Sequence, residues 1–476
     1  MLVAALLLGG GASWLGDTSV QLLCLPLLVL AAVEWQQQRW AASDWAPLAL
    51  LTGIVLLGAV QLAPLSPGFW VSLPGRSQLL VDMHAVGQTP AWYALSLDPF
   101  ATERALQGLL PVVALLFATR WMSERQLRVM LMVLFATTLF LVAFGVSQKS
   151  APASDVVATV NETIARNNLV LNTLGDQGPS TAPAVPDFGF GVYSNRNHFA
   201  TLLALSIPLA FAGALAAWSR RRKDGKPGLP ALSVAYLLVL GGLLAGILET
   251  RSRAGFLLGA AVLVAALAML RGMGLKRKLV WGIVAGVVVA GSAAVLIAGS
   301  DTLTRFDQSA GPDLRWKLHA TTLDAAKHFG ALGSGLGTFV EAYQQVPPRE
   351  GILPAYVNHA HGDYHEVWLE AGWPGMLLVM GFLGWYLYAS ARVWLRSGSA
   401  ASDLPARAAS IAIAVVLVHG YMEYPLRKSA ILAAMGLLCG LLQAGAQRNL
   451  SVAAMSEIQP QARDGALLPG GKVEAP

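Results

Sequence analysis

Apolar runs of roughly 16 to 22 residues alternate with short polar segments along most of the chain, and each run, as a helix, is long enough to cross a hydrocarbon core of about 30 Å. The pattern predicts twelve membrane helices, at 2–16, 19–33, 46–63, 106–121, 127–147, 198–218, 229–248, 254–270, 278–299, 367–391, 408–420 and 429–445. The expected fold class is therefore an all-α integral membrane protein. Five spans occupy residues 1–147, a loop 148–197, four spans 198–299, a large loop with short helices 300–366, three spans 367–445 and a disordered tail 446–476. The first run lacks the basic flank of a secretory leader and is kept as a membrane helix.

Composition agrees: 55% of residues are hydrophobic and 13% charged, with a mean hydropathy of +0.55, far from the balance of a soluble domain. Most of the net charge of +6 comes from basic residues in alternate short loops, among them Arg120, Arg125 and Arg128, then Arg220, Arg221, Arg222, Lys223 and Lys226, then Arg271, Lys276, Arg277 and Lys278, and finally Arg392, Arg396 and Arg407. Such loops stay cytoplasmic, which puts 148–197, 249–253, 300–366 and 419–428 on the outer side. The basic runs are topology signals and imply no nucleic acid. Cys24 and Cys439 lie in separate apolar runs, so neither a disulfide framework nor a cysteine metal site is suggested.

The two long outer loops differ in kind. From Lys149 to Pro186 the chain is rich in Ala, Asn, Thr, Pro and Gly without periodicity, and a mobile flap is expected. After Asp313, the residues Leu314, Leu318, Leu323, Ala325, Ala326 and Phe329 follow helical spacing and predict a short helix at the membrane surface. "GALGSGLGTF" (330–339) ends it. That glycine run lacks a preceding strand and the Lys-Ser/Thr of a phosphate-binding loop, so it is not read as a nucleotide site.

Polar chemistry gathers on the outer side in "YSNRNHFA" (193–200), "ETRSRAG" (249–255), "NHAHGDYHEVWLEAGWPG" (358–375) and "HGYMEYPLRK" (419–428). Arg196, Arg251, Arg253, Arg315 and Arg427 stand there against the usual charge bias. An arginine at a bilayer edge is costly unless paired, and its planar fork suits a diphosphate; the alternative is ion pairing with Glu249, Glu366, Glu370 and Glu423. His359, His361 and His365 add groups that take up a proton near neutral pH. Together, a lipid diphosphate donor and an activated hydroxyl make up a glycosyl transfer. Two other readings of the histidines stand beside this one: a metal site of His359, His361, Asp363 and His365, interrupted by Tyr364, and plain hydrogen bonding at an interface near Trp368 and Trp373. A transporter or lipid flippase is the alternative of another class; it would favour interrupted helices and ionisable residues at mid-membrane, and neither is evident.

In order and character, "SNRNHFA", "TRSRAG", "LRWKLHATTLDAAKHFGALGSGLGTF", "HAHGDYHEVWLEAGWPG" and "HGYMEYPLRKSA", with "LDPFATERAL" after the third span, resemble the O-antigen ligase and O-antigen polymerase superfamily of bacterial envelope enzymes. The resemblance implies an inverting glycosyltransferase of the C type in the inner membrane, with its active site facing the periplasm. It implies an undecaprenyl-diphosphate-linked glycan as donor, an acceptor glycan, no cofactor, no metal, and flippase and chain-length-regulating proteins as partners. By the same resemblance His361 matches the central histidine of a motif that often reads His-Ala-His-Asn-Asp-Tyr-Leu, and is the expected base, with His359 second. Gly362 and His365 depart from that motif. The resemblance assigns Arg253 and Arg315 first, then Arg251, Arg196 and Arg427, to diphosphate or glycan; Asp363, His365 and Glu366, beside the histidines in the same stretch, are expected as supporting residues. Asn195 and Asn197 are expected to orient sugar hydroxyls or to cap the following helix. "NRNHFA" and "EYPLR" are closer to polymerases of O-antigen or exopolysaccharide; a ligase acting on lipid A core or protein is the alternative.

Overall fold

The computed structural model describes residues 1–10, 14–35, 45–150, 191–271, 273, 281–282, 285, 314–349, 351, 357–395 and 401–464. The helices are, in chain order, α1 (Leu2–Leu8), α2 (Trp14–Trp35), α3 (Trp45–Leu62), α4 (Pro67–Ser72), α5 (Ser77–Ala85), α6 (Pro99–Gln107), α7 (Leu110–Trp121), α8 (Glu124–Ser150), α9 (Arg196–Lys223), α10 (Ala231–Glu249), α11 (Arg253–Ala266), α12 (Leu314–Phe329), α13 (Phe339–Tyr343), α14 (Asp363–Trp394), α15 (Leu404–His419) and α16 (Ser429–Asp464). One short antiparallel pair, β1 (Pro64–Leu65) with β2 (Tyr93–Ala94), joins Pro64 to Ala94. Among the described residues ten helical stretches are long and apolar enough to cross a membrane. The protein is an all-α integral membrane protein.

The expected spans from 19–33 to 254–270 and from 367–391 to 429–445 are found, with shifted edges; the one at 278–299 lies almost wholly outside the described residues. The first expected span is corrected. Its helix is only the seven residues of α1, roughly 10 Å at 1.5 Å per residue, which is too short to cross. Close packing accompanies its end, since a Cβ on Gly9 would sit 2.8 Å from the backbone nitrogen of Ala430 at the start of α16. Helix α16 runs from Ser429 to Asp464 and so extends into the segment 446–476 that was expected as a tail. Most of the expected flap, at 151–190, and residues 465–476 lie outside the described residues.

At the centre is α9, buried nearly throughout from His198 to Leu215 and packed by α10, α11 and α15. Small residues permit that approach; the Tyr236 ring of α10 fills the place where a side chain on Gly213 would stand, 2.7 Å away. Outward positions such as Leu22, Leu238, Leu377 and Met380 remain exposed, as a lipid-facing surface requires. At one end of this bundle α9, α11, α14 and α16 begin and α10 and α15 finish, and there the polar motifs meet.

Helix α14 was expected to start at 367. It starts at Asp363, so His365, Glu366 and Glu370 are helical, and it breaks at Gly372, whose φ is 53° and ψ −145°. Pro374 has no N–H and cannot bond the Glu370 carbonyl four residues back. The glycine run supplies the missing donors: Ser334 N–H reaches Leu369 O at 3.0 Å, Gly335 N–H reaches Glu370 O at 2.9 Å, and the Gln61 amide donates to the same oxygen at 3.0 Å. Glycine is required on both sides, because a Cβ on Gly333 would lie 2.6 Å from the Glu370 carbonyl carbon and one on Gly372 would strike the Ala331 oxygen. The buried Arg76 guanidinium ties the segment before α6 to the same run, donating to Leu95 O at 2.7 Å, Gly333 O at 3.2 Å and Pro74 O at 2.8 Å. Burial lowers its pKa to about 10, so it remains charged at neutral pH. Replacing Gly372 with alanine is expected to lower stability by about 1–3 kcal/mol or more, through backbone strain and the blocked carbonyl contact, and should appear as a drop in the melting temperature of the detergent-solubilised protein.

Candidate functional site

Two histidine–glutamate pairs face one another across a tyrosine. In the first, His361 Nδ1 lies 3.3 Å from Glu423 Oε2, and Glu423, fully buried, also accepts from Arg315 Nη2 at 2.6 Å and from the Asn197 amide. His198 Nε2 stands 3.8 Å from the same carboxylate. In the second, His359 Nδ1 is 3.2 Å from both oxygens of buried Glu366, which also takes the Ala360 N–H at 2.8 Å and the Arg427 Nε at 3.3 Å. Arg427 Nη2 reaches Glu370 at 2.8 Å. Between the pairs, Tyr424 stacks on His359 at 4.0 Å and presents its ring edgewise to His361 at 5.1 Å and to His198 at 4.5 Å.

The electrostatics follow from burial and pairing. Burial alone would raise the Glu423 carboxyl, but the His361 hydrogen bond, Arg315 and His198 outweigh it and hold the group well below the usual carboxylate range. His359 goes the other way: burial lowers it, and Glu366 offsets only part of that. Arg427 would be lowered by burial, yet Glu370, Glu366 and Asp363 raise it, so it stays a cation. Because a carboxylate only accepts, Nδ1 is the donor in each histidine, and Nε2 is the nitrogen that does not face the carboxylate. Both rings are partly open to the outside, His361 at 30% and His359 at 24% side-chain exposure, while their carboxylates are sealed.

Other sequence-predicted residues are placed around this pair of dyads. Asn195 is the helix cap, its Oδ1 accepting from Asn197 N–H at 2.8 Å, while Asn197 bridges Glu423 to the Ser252 hydroxyl, which donates at 2.7 Å. That bridge brings the 249–255 loop to the site through Ser252, which Arg251 and Arg253 flank in the chain; Arg253 opens α11 and Arg196 opens α9. Asp363 takes the Leu426 N–H at 3.2 Å and gives its own N–H to Gly420 O at 2.7 Å, which pins the start of α14 to the 419–428 loop. His365 stacks on His319 with ring centres 3.9 Å apart. Among the described residues no three His, Cys, Asp or Glu are grouped to hold a metal ion; His359, His361, Asp363 and His365 each reach a different partner.

Several neighbours were not singled out from the sequence. In the sequence Glu423 stands out only as a possible ion-pair partner for an arginine, and His198, Tyr424 and His319 carry no signal beyond the motifs that contain them. A glutamate in an apolar chain, four residues after His419 and two before Pro425, was the available signal.

No curated protein matches the chain. Residues 237–380 match the family model described as O-antigen ligase. That stretch runs from within α10 through the first part of α14 and includes Arg251, Arg253, Arg315, His359, His361, Glu366 and Glu370. Over residues 237–380, which include the outer loop and both site histidines, the chain is thus similar to the O-antigen ligase family.

Proposed function

We propose that the protein transfers a glycan from a lipid-diphosphate-linked donor, undecaprenyl diphosphate being the carrier, to an acceptor hydroxyl at the outer face of the inner membrane, with inversion at the anomeric carbon. The observation that carries this reading is the His361–Glu423 pair: a half-open imidazole backed by a sealed carboxylate, oriented so that Nε2 can take the proton of an attacking hydroxyl. The hydroxyl oxygen then bonds to the anomeric carbon as the bond to the diphosphate oxygen breaks, and the lipid diphosphate leaves with the electron pair. Charge for the leaving group comes from the rim. Arg196 opens α9 and Arg253 opens α11 at this end of the bundle, so these two, with Arg251 beside them and with the N-termini of both helices, are assigned to the diphosphate, while Arg315 and Arg427 hold the buried carboxylates Glu423, Glu366 and Glu370.

Donor plus acceptor incubated with the purified protein should give a transferred glycan without net translocation; translocation alone would favour a flippase. The motifs "NRNHFA" and "EYPLR" favour a second lipid-linked repeat as acceptor, so a ladder of lengths is expected, whereas a single transfer to lipid A core or protein would identify a ligase. Arg253→Ala is expected to weaken donor binding roughly tenfold or more, the worth of about 1.5–3 kcal/mol for a charged hydrogen bond. Lysine should rescue it only in part, since an ammonium lacks the fork. Titration of the donor against each variant checks this.

A further inference from the structure

His361 adopts an unusual backbone. With φ at 53° it is, with Arg251, one of two non-glycine residues at positive φ among the described residues. Such a conformation costs free energy in a residue with a Cβ and persists only where the surroundings hold it. The holding contact is visible: His319 Nε2 lies 2.9 Å from the His361 carbonyl oxygen. A carbonyl only accepts, so Nε2 of His319 carries the hydrogen.

His319 is itself fixed on all sides. It is 3% exposed, stacks on His365 at 3.9 Å with the planes 17° apart, and meets Trp316 and Tyr421 edgewise at 5.8 and 6.3 Å. It sits on α12 four residues after Arg315, so both residues lie on one face of that helix. One turn of α12 therefore grips both members of the dyad, Arg315 at the Glu423 carboxylate and His319 at the His361 carbonyl. Gly362 completes the fit: a Cβ there would fall 2.5 Å from His365 Nδ1 and 3.1 Å from His319 Nε2. The two departures from the expected motif, glycine at 362 and histidine at 365, are thus one feature, since the glycine makes room for the stacked rings.

The geometry points to His319 as a positioning residue for the transfer, one that acts through His361 by donating to its carbonyl and holding the backbone that aims its imidazole at Glu423. This rests on the reading of His361 as the base.

The test compares His319→Phe, which keeps an aromatic ring on His365 but removes the donor, with His319→Gln, which restores an N–H near the place of Nε2. Each is made in the full-length protein, alone and together with His361→Ala, and assayed with undecaprenyl-diphosphate-linked glycan prepared from membranes. His319→Phe is expected to lower kcat by roughly 10-fold to 100-fold, as small misplacements of a catalytic group do, with the KM for donor unchanged. His319→Gln should recover most of it, and adding His319→Phe to His361→Ala should lower the residual rate no further. Normal kcat in His319→Phe, equal loss in Phe and Gln, or a further loss on top of His361→Ala would overturn the proposal. A fully active His361→Ala would remove the reading on which it rests, and the proposal with it; an inactive His361→Ala beside a normal His319→Phe removes the proposal alone.

Discussion

Substituting His361 by alanine is expected to cut turnover by roughly 10²-fold or more, the usual consequence of removing a general base, while leaving the protein inserted and able to bind the lipid diphosphate. The expectation of intact folding follows from the site's construction. The His361 side chain is 30% exposed and touches Glu423 and the edge of Tyr424, so truncating it leaves no large cavity. Glu423 keeps Arg315 and Asn197 and stays compensated. Membrane yield and melting temperature should thus match the parent while product formation falls. A normally folded, fully active variant would pass the role of base to His359, whose arrangement on Glu366 is the nearest equivalent.

Removing Glu423 should do more harm, and of a different kind. Its alanine variant leaves the Arg315 guanidinium and the Asn197 amide facing an emptied, buried position; breaking one side of a buried ion pair costs about 3–5 kcal/mol. Glu423→Gln is the more informative change, because it keeps volume and a hydrogen-bond acceptor. It loses the charge that balances Arg315 and that steadies a protonated His361, so both melting temperature and turnover are expected to fall, turnover by roughly 10²-fold. A pH signature accompanies this. Since the folded carboxyl is held below its unfolded value, its contribution is fully present at neutral pH and is lost as pH falls through and below the ordinary carboxylate range. Melting temperatures followed toward acid should show a shallower decline in Glu423→Gln than in the parent. Parallel curves would mean that Glu423 contributes nothing of the kind.

The spans were legible because a bilayer leaves the chain little choice: a segment that crosses must be a helix of about twenty apolar residues, and such runs stand out one by one. The site's histidines and arginines were legible for the complementary reason, as polar groups at apolar edges. Pairing was not. Nothing local in the sequence says that Arg315 meets Glu423 or that Asn197 joins Ser252 to Glu423, because those contacts join elements far apart along the chain. The break in α14 had both its signs in "AGWPG", yet a window scaled to a membrane span averages over a kink. Arg76 and Gln61 gave no sign at all, since their side chains bond backbone groups, carbonyls for Arg76 and a carbonyl and an N–H for Gln61, which any sequence offers.

The long reach of Gln61 bears on how the protein is made. Its amide is satisfied by Glu370, 309 residues later, and Arg76 draws one of its carbonyls from Gly333, 257 residues later. At a ribosomal rate of about 5–20 residues per second, the nascent chain carries these polar groups for roughly 15–60 s before their partners exist. Through that interval α3 sits in the bilayer with an amide near its end lacking its final acceptor, and the segment after it holds a cation with no settled place. Until the glycine run emerges, those groups need other hydrogen-bond partners, and water at the membrane surface can supply them. Chains that terminate before residue 370 should accordingly be recognised by membrane proteases, however well their early helices insert.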